Sequence, residues 1–274
     1  MIGCSFFYGY TYCHLPSTSI SFLKKKVDNT LILATFFYFL LKMNNKITVV
    51  FCSKKNGKEN EPFITHITDT CGCDVKIICI YNPNGISLSK IYSDILESNE
   101  IETDIVAFIH DDIEFLRKGW GSEILRLFNE HEEYGIIGVA GSAQFDENGA
   151  WWNYERKFGQ VLHRNDGKSW LTAFSPLLDK DLEEVVVVDG LFMAINRKMI
   201  TSNFSKNLSG FDFYDIDFCL SNFIDKKCKI GVTTNIRIAH NSIGKLKDSW
   251  YENKEIINNK FKEHYPIEIK KNGK

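Results

Sequence analysis

A chain of 274 residues with 44% hydrophobic and 25% charged residues can bury a sizeable core and has the proportions of an ordinary globular protein. Its formal net charge of -2 leaves no basic footprint, which argues against a nucleic-acid partner. Its cysteines form no paired CxxC motifs: Cys71-Gly72-Cys73 lacks the second pair of a zinc clip, and Cys52 and Cys79 sit in apolar runs, so a reduced, cytoplasmic protein is expected.

Residues 1–42 differ from the rest, being aromatic-rich, then basic at Lys24 to Lys26, then apolar from Leu31 to Leu41. That run is shorter than the roughly 20 residues a spanning helix needs, and no convincing small-residue cleavage site follows. Three readings stay open: a weakly membrane-associating segment, a poorly structured extension, or translated sequence upstream of a start at Met43. The last is favoured, because Met43-Asn44-Asn45-Lys46 leads directly into the apolar run Ile47–Cys52. One domain is then expected over 43–266, with a basic tail over 267–274.

From Lys46 the pattern alternates. A strand over Ile47–Cys52 is followed by a helix opening at Pro62, and a strand over Val75–Tyr81 ends at the turn Asn82-Pro83-Asn84-Gly85. Ser87 is placed to cap a helix carrying Leu88, Ile91, Tyr92, Ile95 and Leu96 on one face. The strand Ile105–Ile109 runs into His110-Asp111-Asp112, after which a helix over 120–132 and a strand over 136–140 follow. Gly141 to Leu178 shows no helical period and reads as hairpins or an irregular lobe. Beyond it, strands are predicted over 184–189, 190–195 and 229–238, and helices over 197–203, 213–226 and 248–264. Alternation at this rhythm predicts an α/β fold with a mixed, mainly parallel sheet flanked by helices.

Polar groups gather where these elements end: His110-Asp111-Asp112, Asp189-Gly190, Asp215-Ile216-Asp217 and His240. Carboxylates at the carboxyl ends of buried strands are good seats for a divalent cation and its phosphate ligands. Each cluster also has a plain structural reading. The acids after Ile109 could cap a turn, Asp189-Gly190 could be one, Asp215 and Asp217 could favour a helix macrodipole, and His240 could be a structural histidine.

The order Phe108-Ile109-His110-Asp111-Asp112-Ile113, then Val188-Asp189-Gly190-Leu191-Phe192-Met193, then Gly210-Phe211-Asp212-Phe213-Tyr214-Asp215-Ile216-Asp217-Phe218-Cys219, then a late histidine, resembles family 2 type glycosyltransferases of the GT-A fold. The resemblance covers roughly Ile47 to Lys262 and is nearest to bacterial members whose metal motif reads His-x-Asp. It implies a GT-A, Rossmann-like domain and inverting transfer of one sugar from a nucleotide-diphosphate sugar, expected to be UDP-linked, to a saccharide or glycoconjugate acceptor. Asp112 and His240 would hold a cation, Mn²⁺ in preference to Mg²⁺ because of the imidazole. Asp215 would be the base. Ser53, Lys54, Asn82, His110 and Asp111 would face the donor, and Asp189, Gly190, Asp217, Trp151 and Trp152 the acceptor, the two tryptophans by stacking on a sugar or else by packing in the core. The chain departs from the common pattern at three places: His110 stands for the first Asp of the metal motif, Tyr214 for the Glu before the base, and Asn82 for an Asp at the second strand end.

The Gln-x-x-Arg-Trp motif of processive synthases and the P-loop pattern do not occur, so a single-sugar transferase is expected, cytoplasmic or at the inner face of a membrane, with peripheral membrane association left open. Two other readings compete. A metal-dependent phosphohydrolase of the HD type would join His110-Asp111 to His66. A non-catalytic nucleotide-sugar or carbohydrate-binding module would keep the scaffold and bind donor without turnover.

Overall fold

The computed structural model describes residues 45–226, 228–244 and 246–270; the expected extension over 1–42 and residues 271–274 of the expected tail lie outside the described residues. In chain order the first half contains β1 (Lys46–Ser53), α1 (Glu61–Cys71), β2 (Asp74–Tyr81), α2 (Leu88–Glu97), β3 (Ile105–Ile109), β4 (Ile113–Phe115), α3 (Trp120–Glu130) and β5 (Tyr134–Gly138). There follow β6 (Ala140–Ser142), β7 (Gln144–Phe145), β8 (Lys157–Asn165), β9 (Lys168–Ala173), β10 (Glu183–Val185), β11 (Val187–Val188) and β12 (Phe192–Asn196). The chain continues with α4 (Tyr214–Ile224), β13 (Lys229–Val232), β14 (Ile238–His240), α5 (Asp248–Phe261) and β15 (Ile267–Glu268).

The fold is mixed α/β. A seven-stranded sheet runs β10-β13-β5-β12-β3-β1-β2. Its β2-β1-β3 side is parallel, while β12 lies antiparallel between β3 and β5. Every residue of β3 is buried, as its continuous apolar run requires of a central strand covered on both faces. On the edge strand β2 no residue is fully buried, and Cys79, expected in an apolar setting, is exposed. The helices start and stop where local chemistry directs. Pro62 lies in the first turn of α1, which ends at Gly72 with a left-handed φ of 81°. The Ser87 hydroxyl accepts from the Lys90 amide at the start of α2.

A second sheet, β11-β6-β8-β14-β4 with β9 on β8, draws β8 and β9 and most of β6 from the region read as hairpins or an irregular lobe. The strand expected over 184–189 is in fact two: β10 pairs with β13 in the large sheet, and two residues later β11 pairs with β6 in the second. Val185 to Val188 are all fully buried, so an unbroken valine run conceals the point where the chain changes sheets. The strand expected over 229–238 divides in the same way into β13 and β14. No helix forms over 197–203. Instead the Asn222 side chain accepts from the Thr201 and Ser202 amides at 2.8 and 3.0 Å and holds that segment irregular. Ile267 and Glu268, placed in the tail by the sequence, pair with β7.

Candidate active site

Two cavities meet at the carboxyl end of β3. One, of about 280 Å³, is lined by Cys52, Ser53, Lys54, Asn82, Tyr92, His110, Asp111 and Asp112. The other, of about 490 Å³, is lined by Trp151, Trp152, His163, Asp189, Gly190, Asp215 and His240 among others. His110 and Phe211 belong to both walls.

Strand pairing builds the junction. The His110 amide donates to the Leu191 carbonyl at 3.1 Å, continuing the β3–β12 ladder beyond its last pair and setting His110 beside Asp189-Gly190. β4 pairs antiparallel with β14, matching Ile113 with His240, and the Asn241 amide donates to the Asp112 carbonyl. The His240 Nε2 therefore stands 3.3 Å from Asp112 Oδ1, and His110 Nδ1 stands 4.0 Å from the same oxygen. That oxygen is buried and accepts no well-aligned hydrogen bond. One ligand atom from each of His110, Asp112 and His240 lies within 4.8 Å of the others. An orphaned carboxylate oxygen facing two imidazoles is a donor set that suits a divalent cation.

The electrostatics agree with that geometry. Burial would raise the Asp112 carboxyl, but His240, Ser242 and His110 outweigh it and hold the group well below the usual carboxylate range. Burial would lower His240, yet Asp112 and Asp189 together raise it. His110 is lowered, chiefly by burial and by the neighbouring His240 against the pull of the acids.

Asp215 lies in the first turn of α4 and reaches the larger cavity. Its Oδ2 accepts from the Gly190 amide at 2.7 Å and its Oδ1 from its neighbour's, Ile216, at 2.9 Å. Burial first, and the Asp189 charge second, push its carboxyl up to about 7. Asp189 itself accepts from the Leu191 amide at 2.9 Å and lines the same cavity.

Several expected contacts take another form. Asp217 does not face the cavity. Successive helical residues turn by about 100°, so it points away from Asp215; it is 1% exposed and pairs with Lys260 of α5 at 2.6 Å. The Asn82 amide is engaged at both ends by the Ile86 backbone at 2.8 Å, which closes the turn, and the residue is buried in the wall of the smaller cavity. The space above Gly190 is filled by Tyr214, whose hydroxyl would stand 2.1 Å from a Cβ there, so the missing side chain admits Tyr214. Trp151 is 2% exposed and packs edge-on against Trp152 and Phe174, whereas Trp152 is half-buried at the cavity wall. Ser53 is buried, its hydroxyl accepting from the Lys55 amide, and Lys54 is exposed at the rim of the smaller cavity beside Asp111. His66 accepts from the Phe115 amide at 2.9 Å and is absent from the His110 cluster, so the HD-type arrangement does not form.

One residue of the site escaped the sequence reading. His163 on β8 lies in parallel register with His240, with ring centroids 5.9 Å apart, and Trp170 of β9 stacks on it at 5.4 Å. No local signal marks this histidine, because its position depends on which strands of the second sheet are neighbours. Among the described residues no helix is long and apolar enough to cross a membrane, and nothing supports the expected placement at a membrane's inner face.

A family model described as Glycosyltransferase like family matches residues 48–265. Among solved structures, the crystal structure of A197 from STIV is similar at 14% identity and a TM-score of 0.41, over 74% of this chain and 87% of that one. No curated protein matches the sequence.

Proposed function

This chain belongs to the Glycosyltransferase like family, and from that premise we propose that it moves one hexose from a UDP-linked donor to a saccharide or glycoconjugate acceptor, with inversion and with the help of a divalent cation. The observation that carries the reading is the meeting of the two cavities at His110, with Asp112 on the wall of the smaller one and its partner His240, with Asp215, on the wall of the larger.

The smaller cavity takes the nucleotide, with Ser53, Lys54 and Asp111 against it. Asp112 and His240, joined by His110, would hold the cation through the unpartnered Asp112 oxygen. When bound, the cation supplies Lewis-acid stabilisation of the departing diphosphate. The acceptor enters the larger cavity between Trp152 and Asp189. Asp215 removes the proton from the attacking hydroxyl: each of its oxygens accepts one backbone N–H and keeps a lone pair for the acceptor. A carboxyl raised to about 7 suits a base working near neutral pH.

Calorimetry with UDP and Mn²⁺ tests both assignments. Asp112→Ala should weaken metal-dependent UDP binding roughly 100-fold or more, since even the outer partners of metal ligands are worth about 10–100-fold. Asp215→Asn should leave that binding intact and lower transfer by roughly 10²–10⁴-fold. Equal UDP affinity for wild type and Asp112→Ala sinks the metal assignment; bound donor with no turnover of any nucleotide-sugar by the wild type favours a non-catalytic binding module instead.

A further inference from the structure

Tyr214 replaces an acid in the motif that the sequence shares with its family, and its side chain is buried at the junction of the two cavities. The hydroxyl lies 2.9 Å from the Gly190 carbonyl oxygen and 3.0 Å from His110 Nε2. A phenol has one proton to donate, and a carbonyl oxygen can only accept. Both hydrogen bonds are made together only when the Tyr214 proton goes to Gly190 and the phenol oxygen accepts from His110. That requires the proton of the neutral His110 ring to sit on Nε2.

We propose that Tyr214 is a positioning residue that fixes His110 as the Nε2–H tautomer and so turns a bare Nδ1 lone pair toward Asp112 and His240. The inference rests on the metal reading above for its consequence, though its geometry does not. Nδ1 is the nitrogen that faces Asp112 Oδ1, at 4.0 Å. In the opposite tautomer a proton would occupy that position and exclude a cation, and the Tyr214 oxygen would lose its donor. A hydrogen bond to one ring nitrogen commonly selects the other as the metal-binding nitrogen of a histidine in this way.

The same contacts extend to the base. Gly190 accepts the Tyr214 hydrogen bond at its carbonyl and gives its own N–H to Asp215 Oδ2 at 2.7 Å. One residue thus connects the ring that faces the cation seat to the carboxylate that faces the acceptor. Gly190 has to lack a side chain for this, because a Cβ would meet the Tyr214 hydroxyl at 2.1 Å. Tyr214 is held edge-on by Tyr92, at 5.5 Å between rings, so removal of its hydroxyl alone leaves the ring its packing.

The test is ¹⁵N NMR of histidine-labelled, metal-free protein at pH 8, where an imidazole is neutral, with Tyr214→Phe compared to wild type. His110 in the wild type should show a protonated Nε2 and an unprotonated Nδ1. In Tyr214→Phe the two nitrogen shifts should move toward each other as the tautomers mix, and Mn²⁺ affinity should fall about tenfold. A protonated Nδ1 in the wild type, or unchanged shifts in the variant, overturns the inference whatever the metal affinity. The wild-type spectrum decides even if the variant folds poorly. If the tautomer is as stated and the wild type binds no Mn²⁺, the positioning role stands and the metal reading falls.

Discussion

Asp215 is a carboxyl placed where ionising is costly: it is desolvated, and Asp189 adds a like charge. Two backbone N–H donors favour its ionised form but do not outweigh those effects, and the group reaches about 7. A base is active when deprotonated, so kcat/KM at saturating metal should rise about tenfold per pH unit below 7 and level off above it. A pH profile that is flat from 5 to 7 would exclude Asp215 as the base. Stability should run the other way. The folded pKa lies above the unfolded value, so this group's contribution is fully present below about pH 4 and is lost as pH rises through 7. Wild type should therefore lose stability relative to Asp215→Asn steadily over that window. Of the residues at this junction, His110, Asp112, Asp215 and His240 were legible in the sequence because each ends or begins a regular element. Tyr214 was visible only as a departure, since its partners lie on β3 and at Gly190, distant in sequence.

The helix α4 shows how one element serves the site on one side and the core on the other. Asp215 faces the cavity, while Asp217, two residues on, faces α5, with Oδ1 on Lys260 and a buried Oδ2 that has no hydrogen-bond partner. Lys260→Ala should cost about 2 kcal/mol in chemical denaturation, less than the 3–5 kcal/mol of a fully buried pair because the lysine is partly exposed. The loss should be smaller in an Asp217→Asn background, where no buried carboxylate is orphaned, and a double-mutant cycle measures the difference. Additive effects of the two substitutions would mean that the pair contributes nothing as a pair. Helix existence was readable here from apolar spacing, as it was for α2 and α5. What could not be read was the division of continuous apolar strands between sheets. Val185 to Val188 carry no polar residue at the crossing, and only the partners supplied by β13 and β6 reveal it.

At the scale of the whole molecule, the proposed cation seat is shared between the two sheets. His110 follows β3 of the large sheet, whereas His240 ends β14 of the second, and β4 carries the chain from Asp112 into that second sheet. Periodicity identifies a strand but not its neighbours, so the joining of Asp112 and His240 was expected only through the family resemblance, the meeting of two sheets was not expected, and His163 was not legible at all. A ligand that bridges the sheets binds the folded state alone, because unfolding separates its donors. At 100 times its dissociation constant it should add about 2.7 kcal/mol to stability. For a domain of this size each kcal/mol moves the melting temperature by roughly 2–4 °C, so Mn²⁺ with UDP should raise it by roughly 5–10 °C, reversibly on chelation. Asp112→Ala should lose the metal-dependent part of that rise. The apo proteins should compare differently: the wild type keeps a buried carboxylate oxygen with no aligned donor, so the alanine variant should melt no more than a few degrees lower. Equal Mn²⁺-dependent shifts in the two proteins would place the cation elsewhere and detach the His110–Asp112–His240 cluster from metal binding.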